Sequence, residues 1–437
     1  MAKSLRMFDV GKKFFQHGVM QSVRIRGARS LSGAVEIGGS KNAALPILAA
    51  SILTGEQISL KLLPQLDDIS LMLSILKKLG GEVSIGGGCA AIKMESVGTE
   101  PDGDAVRRMR ASICLLGPML ARRGEAILAL PGGCVIGPRP IDLHLKGFQK
   151  LGCEVEPVNG KIRIRAKRLV GNRIYLGGRH GSTVTGTANI LCAATLAKGM
   201  TEIHFAACEP EIVDLCNFLV KMGAKIGGIG SPTLAVEGVD VLHGAEHELT
   251  VDRIQAGTFA LLAPMVRGDI AIAPVTISHC AALLDVLEQM GVPVDVGDRS
   301  IVVRGGDCQI GPANVSTMAY PGFPTDLQAA LCALVTQANG VSTISEGIYC
   351  QRFAHVGELA RMGAKIRLDG GGVTVEGPAK LSGAELSAVD LRGGACLYMA
   401  ALAANGESTI ANVRHVDRGY EHFEEKLRSL GADVERF

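Results

Sequence analysis

At 437 residues the chain is too long for one ordinary core, and with 47% hydrophobic and 20% charged residues its composition is that of a folded globular protein. Its 45 Lys and Arg against 43 Asp and Glu leave no charge excess to attract nucleic acid or an acidic membrane, so any anion site has to be built locally. No apolar run is long enough to span a bilayer, no C-x-x-C pair marks a zinc or thioredoxin-like site, and the lack of Trp argues against stacking platforms for sugars or single-stranded nucleic acid.

In chain order, residues 1–21 read as an N-terminal extension. Lys3, Arg6, Lys12 and Lys13 stand against Asp9, with Phe14 and Phe15 beside them. The expectation is a disordered tail, or translation from a start upstream of Met20. A weakly basic amphipathic tail touching a membrane is the lesser alternative. The 12 cysteines are scattered singly. Cys114, Cys192, Cys332 and Cys396 fall in apolar Ala-rich runs and are expected to be small buried hydrophobes. Free thiols with no export signal predict a cytoplasmic location.

From residue 22 onward one pattern recurs six times. A helix-like run ends in Leu/Met-Gly and turns into a strand: LKKLGGEV, FQKLGCEV, LVKMGAKI, LEQMGVPV, LARMGAKI and LRSLGADV. Its glycines are Gly80, Gly152, Gly223, Gly291, Gly363 and Gly431, spaced by 72, 71, 68, 72 and 68 residues. A second landmark interleaves with it, an Ala- and Leu-rich helix ending at Gly55, Gly124, Gly199, Gly268, Gly340 or Gly406, spaced by 69, 75, 69, 72 and 66. Two independent landmarks of one period predict six βαβαβ-type units.

The second type of helix is apolar nearly all round (AALPILAASIL, ASICLLGPMLA, ANILCAATLA, GTFALLAPMV, LQAALCALVT, ACLYMAALAA), and a helix without a polar face is buried on every side. Six such helices cannot share one centre. The expected fold is therefore α/β of inside-out barrel type: two similar three-repeat domains, helices inside and sheet outside, with a cleft between them. A TIM barrel, whose helices are external, is excluded. Counting three units per group gives domains of 41–250 and 22–40 plus 251–437, with an N-terminal strand crossing into the second.

The starts of the buried helices carry charge: Lys41 and Asn42; Arg107, Arg108 and Arg110; Ser182, Thr183 and Thr185; Asp252 and Arg253; Thr325 and Asp326; Asp390 and Arg392. Asp252 and Thr325 suit plain N-caps. Lys41, Arg110 and Arg392 do not, because a cation there opposes the helix dipole and calls for an anion or a partner carboxylate. Facing helix starts of this kind predict a substrate with several negative charges. The loop PGGCVIGPRPIDLH, residues 131–144, holds Cys134 among glycines and prolines, five residues before Arg139. It suggests a lid whose thiol serves as nucleophile or as proton donor, or else an incidental cysteine. Arg418, in HVDRGYEH, is equally compatible with a solvated arginine.

These segments together (GGSKNAALPILAA, MRASICLLGPMLA, PGGCVIGPRPIDLH, EPEIVD, FPTDLQA, DLRGGA, HVDRGYEHFEEKLRSLGA) closely resemble the bacterial UDP-N-acetylglucosamine enolpyruvyl transferase family of peptidoglycan synthesis, from about residue 22 to the C-terminus. The resemblance implies an inside-out fold and an addition–elimination reaction. The enolpyruvyl group of phosphoenolpyruvate passes to the 3-hydroxyl of UDP-N-acetylglucosamine through a tetrahedral phospho-ketal, with neither cofactor nor metal. No nucleic-acid or membrane partner is expected.

By resemblance, Lys41, Arg139 and Arg418 bind phosphoenolpyruvate, with Arg110 and Arg392 near its phosphate and carboxylate. Asn42 contacts the sugar. Asp326 holds, and is able to deprotonate, the attacking hydroxyl. Cys134 helps protonate the methylene carbon, can form a covalent adduct with phosphoenolpyruvate, and is the residue fosfomycin alkylates. Arg139, Pro140, Ile141, Asp142 and Leu143 hold the uridine, and Ile348 and Asp390 complete the substrate-binding set. Cys134, Asp326, Lys41 and Arg418 are the expected catalytic group. The sequence departs from the family at Gln255 and Ala256, where Glu-Thr is common, at Cys350, where an acid is common, and in RHGSTVTGTAN, which lacks a lysine. A paralogue using shikimate phosphate or another nucleotide as acceptor is the nearest rival, and a non-catalytic UDP-sugar binder is the rival of a different class.

Overall fold

The computed structural model describes residues 21–27, 30–132, 136–137 and 139–437. The N-terminal tail through Met20 and Cys134 therefore lie outside the described residues.

Two separate hydrophobic cores organise the chain. One is built from residues between Ala44 and Leu249, the other from Val23–Ile37 together with Val251–Val434. We call the parts around them the first and second lobes. The apolar helices lie inside, as their lack of a polar face requires: all 13 residues of Arg253–Met265 are buried, and Lys41–Ala50 exposes only Asn42 appreciably. The amphipathic helices lie outside. Asp67–Lys78 buries Ile69, Met72, Leu73 and Leu76 against its lobe and turns Lys77 and Lys78 outward. Gly80, Gly152, Gly223, Gly291, Gly363 and Gly431, which end the six amphipathic helices, all have positive φ, so each stands where a side chain would be strained.

Among the described residues there are six sheets of three or four strands and one two-stranded ribbon. Five of the six share one pattern, a parallel pair followed by two antiparallel neighbours. The fifth, for example, runs Asn314–Thr317, Gly340–Glu346, Gly372–Gly377, Lys365–Asp369. Strands distant in sequence complete two of the sheets. Ser22–Arg26 lies between Glu407–Ala411 and Asp433–Arg436, and Ala245–Glu248 pairs with Gln57–Lys61. Two segments cross between the lobes side by side, tied by Ser40 N to Thr250 O at 2.8 Å and Asp252 N to Gly38 O at 3.0 Å.

Two of the buried helices begin in 3₁₀ geometry where their apolar runs suggest α-helix from the start. Arg110–Leu115 is a 3₁₀ helix that becomes α only at Leu116–Arg123, and Thr325–Leu327 is a 3₁₀ turn ahead of Gln328–Val335. The first break has a local cause. Asn189, on the neighbouring helix Val184–Ala194, accepts from Gly117 N at 2.7 Å and donates to Ile113 O at 2.9 Å, serving the backbone groups left over where the helix changes type. Gly117 also lies against that helix so closely that a Cβ would sit 2.2 Å from Asn189 O.

The second set of glycines is less uniform than its spacing implies. Gly124, Gly199, Gly340 and Gly406 have positive φ, but before Gly268 it is Arg267 that adopts it, at 50°.

Candidate active site

The starts of the buried helices meet at the junction of the lobes. Lys41 opens its helix behind the N-cap Ser40, whose hydroxyl accepts from Ala43 N at 3.3 Å. Its ammonium lies 3.3 Å from Asp68 Oδ2, and the same carboxylate accepts from Arg418 Nε of the second lobe at 2.9 Å. Asp68 therefore joins two cations from opposite ends of the sequence. Burial pushes the Lys41 pKa below the ordinary 10.5; Asp68 opposes the shift, and Arg392 and Arg418 add to it.

Asp326, in the 3₁₀ turn, takes Arg352 Nη1 on Oδ1 at 2.8 Å, and on Oδ2 takes Arg392 Nη2 at 3.0 Å and Asn42 Nδ2 at 3.3 Å. Burial by itself would raise its pKa, but the guanidinium groups of Arg392 and Arg352 outweigh burial and hold the carboxyl well below the usual carboxylate range. It makes no capping hydrogen bond to its own helix. The Asn42 contact crosses the cleft, since Asn42 stands at the start of the first lobe's first buried helix.

Arg392 is buried, 3% exposed, and lies over the Tyr420 ring at 5.0 Å. Among the described residues its Nη1 and the Nε of Arg352 have no hydrogen-bond acceptor. A buried guanidinium with an unused donor is suited to an anionic guest.

Other candidates are placed differently. Asp390 caps its helix through Oδ1, which accepts from Arg392 N and Gly393 N at 3.0 Å each. It thus sets Arg392 in place. Asp252 is an N-cap as well, accepting from Ile254 N and Gln255 N at 2.9 Å. Thr325 is not a cap: its hydroxyl donates to Glu346 and accepts from Arg352. Arg110 is met by the carbonyl oxygens of Pro131, at 3.3 Å, and Arg139. Pro140, Ile141, Asp142 and Leu143 lead into the helix Asp142–Lys150 on the same side of the loop. Arg139 donates through Nη2 to Tyr349 Oη at 2.9 Å across the cleft. Ile348 offers its backbone N–H to Glu346 Oε1 at 2.8 Å. Gln255, one of the departures, is buried and accepts from Lys426 Nζ at 2.7 Å.

Sequence reading misses Asp68, Arg352, Glu346 and Tyr349. Asp68 stands at the first turn of an amphipathic helix, where an acid is ordinary, and Arg352, two residues after the departing Cys350, belongs to no pattern that singles it out. The available signal for Asp68 was that Lys41 at a helix start needs an acid.

The four cysteines of the apolar runs are placed as the sequence suggests. Cys114, Cys192, Cys332 and Cys396 are buried and free, and burial pushes the Cys114 thiol up to about 12. None of them is available as a nucleophile.

A family model described as EPSP synthase (3-phosphoshikimate 1-carboxyvinyltransferase) matches residues 25–427. A UDP-N-acetylglucosamine 1-carboxyvinyltransferase of Koribacter versatilis (strain Ellin345) is 48% identical over 95% of this chain and 96% of its own length. One of Methylacidiphilum infernorum (isolate V4) is 46% identical over 95% and 99%. The crystal structure of the enolpyruvyl transferase NikO from Streptomyces tendae superposes with a TM-score of 0.87 at 24% identity, covering 95% of this chain and 99% of that one.

Proposed function

The chain belongs to the enolpyruvyl transferase family, among the UDP-N-acetylglucosamine 1-carboxyvinyltransferases, and from that premise we propose how its residues carry out the transfer. The enzyme moves the enolpyruvyl group of phosphoenolpyruvate to the 3-hydroxyl of UDP-N-acetylglucosamine, releasing phosphate, at the committed step of peptidoglycan precursor synthesis. The other-acceptor reading is not favoured: relatives 42–48% identical over about 95% of the chain carry this one name, whereas the likeness to NikO, at 24%, speaks for the fold.

The observation that best supports these roles is the convergence of Lys41, Arg392 and Asp326, from three buried-helix starts, with Arg418, from the end of the short helix Arg414–Asp417, across both lobes. Phosphoenolpyruvate brings a phosphate and a carboxylate. Lys41 and Arg418, already together through Asp68, suit one anionic group, and Arg392, with an unused N–H, suits the other. By the family resemblance Arg139 also binds phosphoenolpyruvate, with Arg110 beside it, and the segment from Arg139 through Pro140, Ile141, Asp142 and Leu143, with Ile348, extends toward the nucleotide. Asn42 and Asp326, 3.3 Å apart, frame the acceptor hydroxyl.

In the addition step the 3-oxygen bonds to C2 of phosphoenolpyruvate and its proton passes to Asp326, while a proton is delivered to the C3 methylene. In the elimination step the bond from C2 to the phosphate oxygen breaks, a proton leaves C3 and the double bond returns. Asp326 is a weak base while Arg352 and Arg392 both hold it. An anionic donor that takes over part of Arg392 weakens that hold and raises the carboxylate's basicity when it is needed. The C3 proton is assigned to Cys134 on the strength of the family resemblance.

We read the two cores as two domains, 41–250 and 22–40 plus 251–437, closing on small-molecule substrates. A cytoplasmic location accords with the free thiols of all 11 described cysteines. Among the described residues no helix is long and apolar enough to cross a membrane. Mass and NMR analysis of the product tests the reading: the 3-enolpyruvyl ether of UDP-N-acetylglucosamine is expected, and any other attachment point or acceptor refutes it.

A further inference from the structure

The loop after the strand Gly340–Glu346 reaches across the cleft with a side chain that the reaction as described does not use. Arg139 Nη2 donates to Tyr349 Oη at 2.9 Å, and the guanidinium lies 4.9 Å from the centre of the Tyr349 ring. Among the described residues no carboxylate bonds Arg139. Lys41 and Arg418, by contrast, are held by the carboxylate of Asp68. The difference matters chemically: a carboxylate orients a cation and cancels its charge, whereas a phenol orients it and leaves the whole charge for an incoming anion.

Tyr349 is itself fixed. Its backbone N–H and that of Ile348 both donate to Glu346 Oε1 at 2.8 Å, and Gly137 of the Arg139 loop lies against the Gln351 side chain. Glu346, 6% exposed, takes the Thr325 hydroxyl on its other oxygen at 2.9 Å. Thr325 accepts from Arg352 Nη1 at 3.0 Å, and the same nitrogen donates to Asp326 at 2.8 Å. Hydrogen bonds and a few covalent links thus run continuously from Arg139 to Asp326.

We propose that Tyr349 is a positioning residue that holds the Arg139 guanidinium, uncompensated, for phosphoenolpyruvate and ties it to the acceptor carboxylate Asp326. The inference rests on the role proposed above for Arg139. It makes the donor's binding site complete only when the two lobes are together, because the cation belongs to one lobe and its holder to the other. A flexible arginine loses less rotamer freedom on binding when it is already fixed, so the contribution belongs to donor affinity.

The test uses the full-length enzyme with Tyr349→Phe, which keeps the ring and removes the hydroxyl, and Tyr349→Leu, which removes both. The expected result is a rise in KM for phosphoenolpyruvate of about fivefold for Phe and about 20-fold for Leu, the size of one and of two lost contacts to a charged group. KM for UDP-N-acetylglucosamine is expected to stay within about twofold, since the proposal assigns Tyr349 to the donor. In an Arg139→Lys background Tyr349→Phe is expected to add less than about twofold, the mark of a shared interaction. An unchanged KM for phosphoenolpyruvate in both variants, an equal rise for both substrates, or full additivity with Arg139→Lys overturns the proposal. The thermal shift that phosphoenolpyruvate produces in the presence of UDP-N-acetylglucosamine reads the same claim without turnover. Absent turnover in the unmodified enzyme counts against the function, whereas an undiminished shift in Tyr349→Leu counts against Tyr349.

Discussion

Asp68 accepts from Arg418 Nε on one oxygen at 2.9 Å while its other oxygen lies 3.3 Å from Lys41 Nζ. One carboxylate of the first lobe thereby holds a cation of its own lobe beside one of the other. With Asp68 only 5% exposed, its removal takes a shared, buried counter-charge from two closely placed positive groups. Asp68→Asn is expected to lower stability by about 3 kcal/mol, the order found when one partner of a buried pair is deleted, and to reduce kcat/KM for phosphoenolpyruvate. Urea unfolding and steady-state kinetics check both. Stability and kinetics both unchanged would mean that the pair contributes nothing.

Asp326→Asn is expected to cost about 10²–10⁴-fold in turnover, the range for a lost general base, while UDP-N-acetylglucosamine binding measured by calorimetry is largely kept. The structure adds a second consequence. Arg352 and Arg392 lose their shared counter-charge, so the variant is also expected to unfold at lower denaturant. An ordinary helix cap would show neither effect, because Asn caps as well as Asp. Near-normal turnover would move the search for the base elsewhere.

The same carboxylate carries a pH signature. Its folded-state pKa is depressed, so its contribution to stability is fully present above the unfolded carboxylate value of about 3.9 and is lost as pH falls through the folded value. The acid limb of a stability–pH profile should therefore be shallower in Asp326→Asn than in the unmodified protein. Parallel profiles would contradict the assignment.

Lys41 gives a signature on the alkaline side. Burial lowers its pKa from 10.5, and only the protonated form attracts an anion. KM for phosphoenolpyruvate is expected to rise with pH before the ordinary lysine range is reached, and Lys41→Arg should move that rise upward, since arginine stays charged. A pH-independent KM up to pH 10 would refute the claim.

Gly117→Ala probes the fold alone. The added methyl meets the Asn189 carbonyl oxygen at 2.2 Å, and the obstacle is backbone that cannot rotate away. A loss of about 1–3 kcal/mol is expected, with kcat of the folded fraction unchanged. A neutral effect would mean that the two buried helices separate easily.

The architecture is legible in the sequence because it is periodic. Six glycines at a spacing near 70 residues mark six helix ends, and all six have the backbone that the pattern requires. The cations at helix starts are legible for a different reason: they contradict the helix dipole and demand an explanation. The partners are not legible. Asp68 and Arg418 stand 350 positions apart, Asn42 and Asp326 284, Arg139 and Tyr349 210, and no local period links such pairs. Asp390 shows a different limit: a carboxylate beside Arg392 reads as part of a substrate site, and its additional task, capping the helix through Oδ1 with Arg392 N and Gly393 N, is not visible in the sequence.

Phosphate release from phosphoenolpyruvate across a panel of acceptors tests the central claim most directly. The full-length enzyme is supplied in turn with UDP-N-acetylglucosamine, UDP-glucose, uridine monophosphate and shikimate 3-phosphate. The account predicts stoichiometric release with UDP-N-acetylglucosamine and release at least about 100-fold slower with the others, because only the first presents both the nucleotide and the correctly placed hydroxyl. Release with another acceptor at an equal or greater rate, or none with UDP-N-acetylglucosamine, would contradict it.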